Sequence, residues 1–308
     1  MTLDAVSVGI MWDRLVAISD EIVTTLVRTS FSTIVSESYD LTVALLDADG
    51  ELMAQGTYSV PVFMGTAPAT LNHMLRKYPA GTLQPGDVII TNDPWLGTGH
   101  TFDINVMRPV FREGRIVAYV ISITHLPDVG GLGFGAAAQE IYHEGLRLPI
   151  CKLYDAGRQT DFILELIRTN VRAPDQVIGD LMANVTATKA GEDMLSAFLA
   201  EYGLQDFSVL SGQIRHRSEQ AARTRIQQMN DGIYENSIQI EGTDGPLTLA
   251  CRAQIMGDAL SVDFDGTAPS VRLGINVPFC YTRAMVLYSI KCLTVPELPN
   301  NGGSVVPI

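Results

Sequence analysis

Two β-rich runs, Ile104 to Phe111 and Ile116 to Thr124, are separated only by Arg112-Glu113-Gly114-Arg115. A connection that tight can join strands only as antiparallel neighbours. The segment therefore reads as a hairpin, and a hairpin dictates which distant residues meet. With the turn centred between Glu113 and Gly114, residue 102 faces residue 125 and residue 103 faces residue 124. Opposed Cβ atoms in such a pair lie about 5 Å apart. Whatever chemistry the chain carries just before the first run and just after the second is brought to one place.

What it carries there is a doubled pattern. His100 is followed three residues on by Asp103, and His125 by Asp128. The chain has 5 histidines, and only these two share the pattern. Two imidazoles and two carboxylates at the open end of a hairpin make a candidate divalent-metal site. Mixed nitrogen and oxygen donors suit Zn²⁺, Mn²⁺ or Fe²⁺, and the lack of thiolate argues against a purely structural zinc site. The cysteines, Cys151, Cys251, Cys280 and Cys292, are scattered without a CxxC pair, as reduced thiols of a cytoplasmic protein would be.

Other residues carry two readings each. Asp93 follows the short strand Val88 to Thr91 and is a catalytic candidate, although Asn92-Asp93-Pro94 also has plain turn chemistry. Glu140, a second catalytic candidate, stands with His143 and Glu144 beyond a glycine-rich loop. These groups either orient ligands or open a solvated helix. Gly130, Gly131, Gly133 and Gly135 would let backbone approach a ligand. His73, beside Met74 in a helix, reads as structural, and His216, between two arginines, as surface.

The remaining pattern gives an α+β fold. Residues 5 to 29 carry an apolar stripe of helical period, with Val8, Met11, Leu15, Ile18, Ile22 and Leu26 on it. Strands are expected at Leu41 to Leu46 and Leu52 to Ala54, and helices at Thr66 to Lys77, Asp161 to Asn170, Asp175 to Tyr202 and Val209 to Asn230. Three further strands, Ser237 to Glu241, Leu247 to Ile255 and Leu260 to Phe264, precede a helix at Tyr281 to Leu293. The expected organisation is a mixed α/β metal-site domain at 1–155, a helical segment at 156–232, and the opening of a β-rich domain at 233–308. The closing loop, Pro296 to Ile308, reads as the point where a longer chain has been cut.

Composition narrows the function. A formal net charge of −13, with no basic run longer than Arg215-His216-Arg217, is unsuited to nucleic acid. No apolar run reaches the roughly 20 residues that cross a bilayer, and Met1-Thr2-Leu3-Asp4 has no signal-peptide character. Neither a GxxxxGK[ST] phosphate loop nor a GxSxG elbow occurs, so neither P-loop ATP binding nor serine hydrolysis is supported.

The combined motifs carry a resemblance. Asn92-Asp93-Pro94-Trp95-Leu96-Gly97-Thr98-Gly99-His100 with Asp103, and His125-Leu126-Pro127-Asp128-Val129-Gly130-Gly131, resemble the hydantoinase B family. So do Glu37-Ser38-Tyr39-Asp40, Glu140 to Arg147, Ile167 to Arg172 and Pro299 to Gly303. That family includes B-type subunits of N-methylhydantoinase and 5-oxoprolinase, caprolactamase, and large subunits of acetone and acetophenone carboxylases. The resemblance implies a metal held by His100, Asp103 and His125. For the fourth position, local spacing offers Asp128, and the family's Glu-Ser-x-Asp motif offers Asp40, whose plainer role is a strand-edge cap. It also implies a hetero-oligomer in which an A-type, actin-like subunit handles ATP while this chain acts on a cyclic amide. A biotin-independent ketone carboxylase subunit is the alternative, and a scaffold whose metal only staples the hairpin is the third reading. Where relatives often have Leu-Pro between the first His and Asp, this chain has Thr101-Phe102, a difference that bears on substrate preference.

Overall fold

The computed structural model describes residues 3–242 and 245–308. Met1 and Thr2, half of the stretch read for a signal peptide, lie outside the described residues. The hairpin is present as β4 (Asp103–Arg112) and β5 (Arg115–His125), at the middle of a seven-stranded sheet. β1 (Leu41–Asp47) and β2 (Leu52–Gln55) extend it beyond β5, and β3 (Val88–Thr91), β6 (Cys151–Asp155) and β7 (Arg158–Gln159) extend it beyond β4. Every pairing is antiparallel. The architecture is mixed α+β, as the sequence pattern implies. β6 and β7 are additions that the pattern does not announce.

Helices cover both faces, which is why β1 is buried at all seven positions instead of alternating. On one face lie α1 (Ala5–Thr29), α5 (Pro174–Glu201) and α6 (Ser208–Gln227). The stripe of α1, from Val8 through Leu26, packs on Leu41, Val43, Leu45 and Val120 and against Ala187 and Leu195 of α5. α4 (Asp161–Asn170) joins the first turns of α5 over Val88, Ile90, Ile104 and Val106. On the other face α3 (Ala67–Lys77), the turn Pro61–Met64 and α7 (Phe279–Thr294) enclose Leu46, Met107, Tyr119 and Ile121. Gly65 permits the last contact: a Cβ there would lie 2.7 Å from the Ala284 backbone of α7. A one-turn helix, α2 (Thr33–Ser36), links α1 to β1. A second antiparallel sheet, β8 (Gly232–Ile240), β9 (Leu247–Met256) and β10 (Ala259–Asp263), is ordered β10-β9-β8. Among the described residues, no helix is long and apolar enough to cross a membrane.

The hairpin register departs from expectation by one residue. Near the turn the expected pairing holds, with Phe111 facing Ile116 and Arg112 facing Arg115. Beyond it Val110 faces Ala118, so Val117 is an extra residue on β5. This bulge shifts every later pair, and Asp103, not residue 102, stands opposite His125.

Candidate metal centre

Three adjacent strands end at the same rung. Asp103 opens β4 and faces His125, which closes β5. On the other side of β5, the His125 N–H donates to the Asp40 carbonyl at 3.1 Å, one residue before Leu41 pairs with Thr124. Asp40, His125 and Asp103 therefore stand in a row across β1, β5 and β4, and directly opposed residues share a face. Tyr39, at φ 54°, takes the left-handed conformation that turns the chain into this row.

The side chains converge. His125 Nδ1 lies 3.4 Å from Asp103 Oδ1 and 3.5 Å from Asp40 Oδ2, and His100 Nε2 lies 3.3 Å from Asp103 Oδ2. Asp103 is thus held between two imidazoles and is 1% exposed. Among the described residues, His100, Asp103 and His125 form the one group whose candidate ligand atoms all lie within 4.8 Å of one another.

His100 arrives from the loop after β3, and that loop is pinned. Asn92 is buried and donates through Nδ2 to the carbonyls of Thr101 (2.6 Å) and Leu146 (2.9 Å), while its Oδ1 accepts the Leu148 N–H. Glu144 Oε2 accepts both the N–H (3.0 Å) and the hydroxyl (3.1 Å) of Thr101. The Phe102 N–H donates to His100 Nδ1 at 3.2 Å, which turns Nε2 toward Asp103. Phe102 stacks on His125 with ring centroids 5.2 Å apart, and Phe134 sets its edge against both histidines. Phe102 is buried and shields one side of the cluster, whereas Phe134 stands at the exposed mouth of the site.

The electrostatics suit a cation. Asp103 Oδ1 is buried and accepts no hydrogen bond, an orphaned anionic oxygen that is expensive in a dry site. Burial pushes the Asp40 carboxyl above the usual carboxylate range, and the Asp103 carboxylate adds to that, while His125 and His100 oppose it. A positive ion among these four groups would supply the missing partner and relieve the repulsion. The donor set of two imidazoles and two carboxylates fits Zn²⁺, Mn²⁺ or Fe²⁺.

The other sequence candidates sit elsewhere. Asp128 is committed to a neighbouring corner: Oδ1 accepts Gly130 N–H (2.9 Å) and the Arg172 guanidinium (2.8 Å), and Oδ2 accepts the Arg172 N–H. Of the two acids weighed for the fourth position, the fold brings Asp40 to the histidines. Asp93 Oδ1 accepts the Trp95 N–H at 3.1 Å and Oδ2 faces Arg147 at 3.8 Å, which is turn chemistry. Glu140 is largely exposed at the rim and faces His143 Nε2 at 3.4 Å. Gly130 and Gly131 approach protein backbone and not an open space: a Cβ at Gly131 would meet the His143 carbonyl at 2.3 Å.

Next to the cluster is a cavity of about 520 Å³ whose walls include Trp95, His100, Phe134, Glu140 and Tyr281. The last is delivered by α7, far along the chain, and spacing gives no hint of it. Burial pushes the Tyr281 phenol up, with Asp103 and Asp40 adding to the effect.

One stability consequence follows at the Asp128 corner. Burial alone would raise that carboxyl, but the N–H groups of Arg172 and Gly130 and the Arg172 guanidinium outweigh it and hold it below its ordinary value. A depressed carboxyl stabilises the fold above its unfolded pKa of about 3.9 and loses that contribution as pH falls through its lower folded value. Arg172→Ala is expected to lower stability by about 1 kcal/mol at neutral pH, a modest figure because the guanidinium is well exposed. Urea unfolding at a series of pH values should show the gap between wild type and variant closing below about pH 3.9.

Comparison with known proteins agrees with the geometry. The family model for Hydantoinase B/oxoprolinase matches residues 4–308. The chain is 30% identical to 5-oxoprolinase 1 of Arabidopsis thaliana over 335 aligned residues, covering 99% of this chain and 26% of that protein. The crystal structure of ATP-dependent caprolactamase from Pseudomonas jessenii superposes with a TM-score of 0.92 at 27% identity, over 100% of this chain and 54% of that one. An acetone carboxylase, in its nucleotide-free structure, shares the fold with a TM-score of 0.87 at 19% identity, over 96% of this chain and 42% of that one. The chain spans about half the length, or less, of the curated relatives it matches. A match that runs almost end to end, on a fold that gathers the family's His and Asp motifs at one rung, places the chain in the hydantoinase B/oxoprolinase family.

Proposed function

We propose that the chain is the metal-holding part of an ATP-coupled cyclic-amide hydrolase of the hydantoinase and 5-oxoprolinase type, cytoplasmic and paired with an A-type, actin-like subunit that handles ATP. The observation that carries this reading is the buried Asp103 carboxylate, with an unpartnered Oδ1, set between His100 and His125 beside a ligand-sized cavity. In this reading His100, Asp103 and His125 hold a divalent metal, and Asp40 completes the set. Asp128 is kept out because its oxygens are already taken.

A metal bound there would polarise a carbonyl oxygen or lower the pKa of a bound water to about 7. The chain's own residues do the rest. Trp95, Phe134 and Tyr281 give a cyclic amide apolar faces to lie against. Phe102 and Phe134 pack against the His125 ring and hold its orientation. Glu144 and Asn92, through Thr101, keep His100 from swinging out of line. Glu140, at the rim, is placed to exchange a proton between the cavity and solvent.

Elemental analysis of purified variants tests the ligands. His125→Ala, Asp103→Ala and Asp40→Ala are each expected to lose most of the metal, and Asp128→Ala to keep it. Full occupancy in the first two would sink the proposal.

The pH dependence has a definite sign. Ligands bind as neutral imidazole and ionised carboxylate, so protons compete with metal. Histidine ordinarily titrates near 6.5 and aspartate near 3.9. Asp40 starts above that aspartate value, so it gives up the ionised form sooner on acidification. Metal retention under a fixed weak chelator should hold at neutral pH and fall between about pH 6 and 4. Retention unchanged down to about pH 4, in wild type and in His100→Ala alike, would mean that the histidines are not ligands.

The ketone carboxylase that the family also contains is separated by product chemistry. The complete complex, given ATP and labelled bicarbonate, should leave no acid-stable label and should open a hydantoin or 5-oxoproline ring. Acid-stable label would reassign the reaction. Substrate-stimulated ATP hydrolysis by this chain alone would overturn the division of labour.

A further inference from the structure

Behind the sheet, on the face away from the metal cluster, α5 carries an expensive pair. Asp180 and Asn184 lie one helical turn apart and are both 0% exposed. Most of their neighbours on the buried face of α5 are apolar, Val177, Leu181, Ala183 and Ala187, with Thr188 a further buried polar residue one turn beyond Asn184. Asp180 Oδ1 accepts the N–H groups of Phe31 (2.7 Å) and Ser32 (3.1 Å), while its Oδ2 is buried with no partner. Asn184 Nδ2 donates to the Thr124 hydroxyl at 2.8 Å, and its Oδ1 also lacks a partner. Unpartnered buried acceptors weaken a fold compared with apolar side chains of the same shape. Stability alone does not explain the pair.

Each bond leads to a candidate ligand. Phe31 and Ser32 form the corner between α1 and α2, and the Phe31 ring lies flat on Gly179, where a Cβ would meet it at 2.5 Å. Ser32 caps α2 through the Val35 N–H, and the Asp40 N–H donates back to the Ile34 carbonyl at 3.2 Å. The corner held by Asp180 therefore sets where Asp40 begins its strand. Thr124 is the residue before His125 and pairs on either side with Leu41 and Ile104. Asn184 grips β5 one residue from the imidazole. We infer that Asp180 and Asn184 are positioning residues that set the metal centre from behind the sheet, Asp180 through α2 for Asp40 and Asn184 through Thr124 for His125. A hydrogen bond fixes direction as well as contact, which an apolar side chain at either position would not do.

The inference rests on the metal-site reading above, and the experiment separates the two. Metal affinity is measured by competition with a chelator, and the melting temperature of each metal-free protein is measured alongside. Asp180→Ala and Asn184→Ala are each expected to weaken affinity about 10–100-fold. Asp180→Asn, which keeps an acceptor oxygen for Phe31 and Ser32, should restore affinity nearly to wild type. Leu195→Val, on the same helix but touching neither corner, should lower the melting temperature and leave affinity alone. If Asp180→Ala does not fold, Asn184→Ala makes the same test through the His125 arm. A lower melting temperature with unchanged affinity in both alanine variants would overturn the inference while leaving the metal site intact. Unchanged affinity in Asp40→Ala and His125→Ala would overturn the site reading, and this inference with it.

Discussion

The His/Asp cluster depends on one extra residue in a strand. Side chains alternate along a strand with a period of two, so a slip of one residue exchanges the faces of everything downstream. Val117 makes that slip near the turn of the hairpin. Without it, residue 102 would stand opposite His125 and Asp103 would be offset from the imidazole. With it, Asp103 and His125 are direct partners, and β1 adds Asp40 to the same rung from the other side. The shift begins at Val110, seven residues along β4 from Asp103, inside a strand pair that is buried over most of its length. A register so enclosed cannot drift, since any other pairing would turn Ser122 and Thr124 into the wrong core.

That rigidity brings anionic groups together before any cation arrives. Asp40 and Asp103 face the same imidazole, and the Asp103 carboxylate adds to the burial that makes Asp40 harder to ionise. A cation that bound only the folded arrangement would return the lost stability by mass action. In the proposed reading, metal binding and fold stability would be coupled through these two carboxylates. The Asp128 corner shows the opposite solution to the same problem: there an arginine and two backbone N–H groups neutralise the carboxylate, and no ion is needed.

The sequence shows local patterns well. The apolar stripe of α1, the hairpin and the three long helices appear where periodicity puts them, because each owes its form to neighbours within a few residues. The bulge does not show, since an added valine in a β-rich run leaves the apolar pattern looking continuous. β6 and β7 are missed because Cys151 to Asp155 and Arg158-Gln159 are short, mixed in polarity and stabilised by distant pairing, β6 with β3 and β7 with β6. The doubled His-x-x-Asp pattern locates three of the clustered residues but suggests Asp128 as the fourth. His100 and Asp103 span a loop that doubles back, whereas Asp128 lies past the end of β5, where the chain has already turned toward Arg172. Asp40 stands beside His125 because of strand order, β1 beside β5, which no local spacing encodes.

The cavity makes the same point at larger scale. Its walls come from the loop at Pro94 to His100, from Gly133 to Glu144, and from Leu273 to Tyr281. The last of these reaches the centre only because α7 returns to the face of the sheet and seats Ala284 against Gly65. Gly99, at φ 101°, completes the fit: its missing side chain leaves the space that the Tyr281 Cβ occupies, at 3.0 Å from where a Cβ would stand. The ligand-bearing rung is built early in the chain and fixed by the sheet, while one wall of the cavity is closed by a helix near residue 280. The candidate ligands and the cavity wall therefore come largely from different parts of the chain, with His100 shared between them. The rung is fixed by the register of β1, β5 and β4, whereas the wall that α7 supplies ends in Tyr281, whose phenol feels the charge of Asp103 and Asp40.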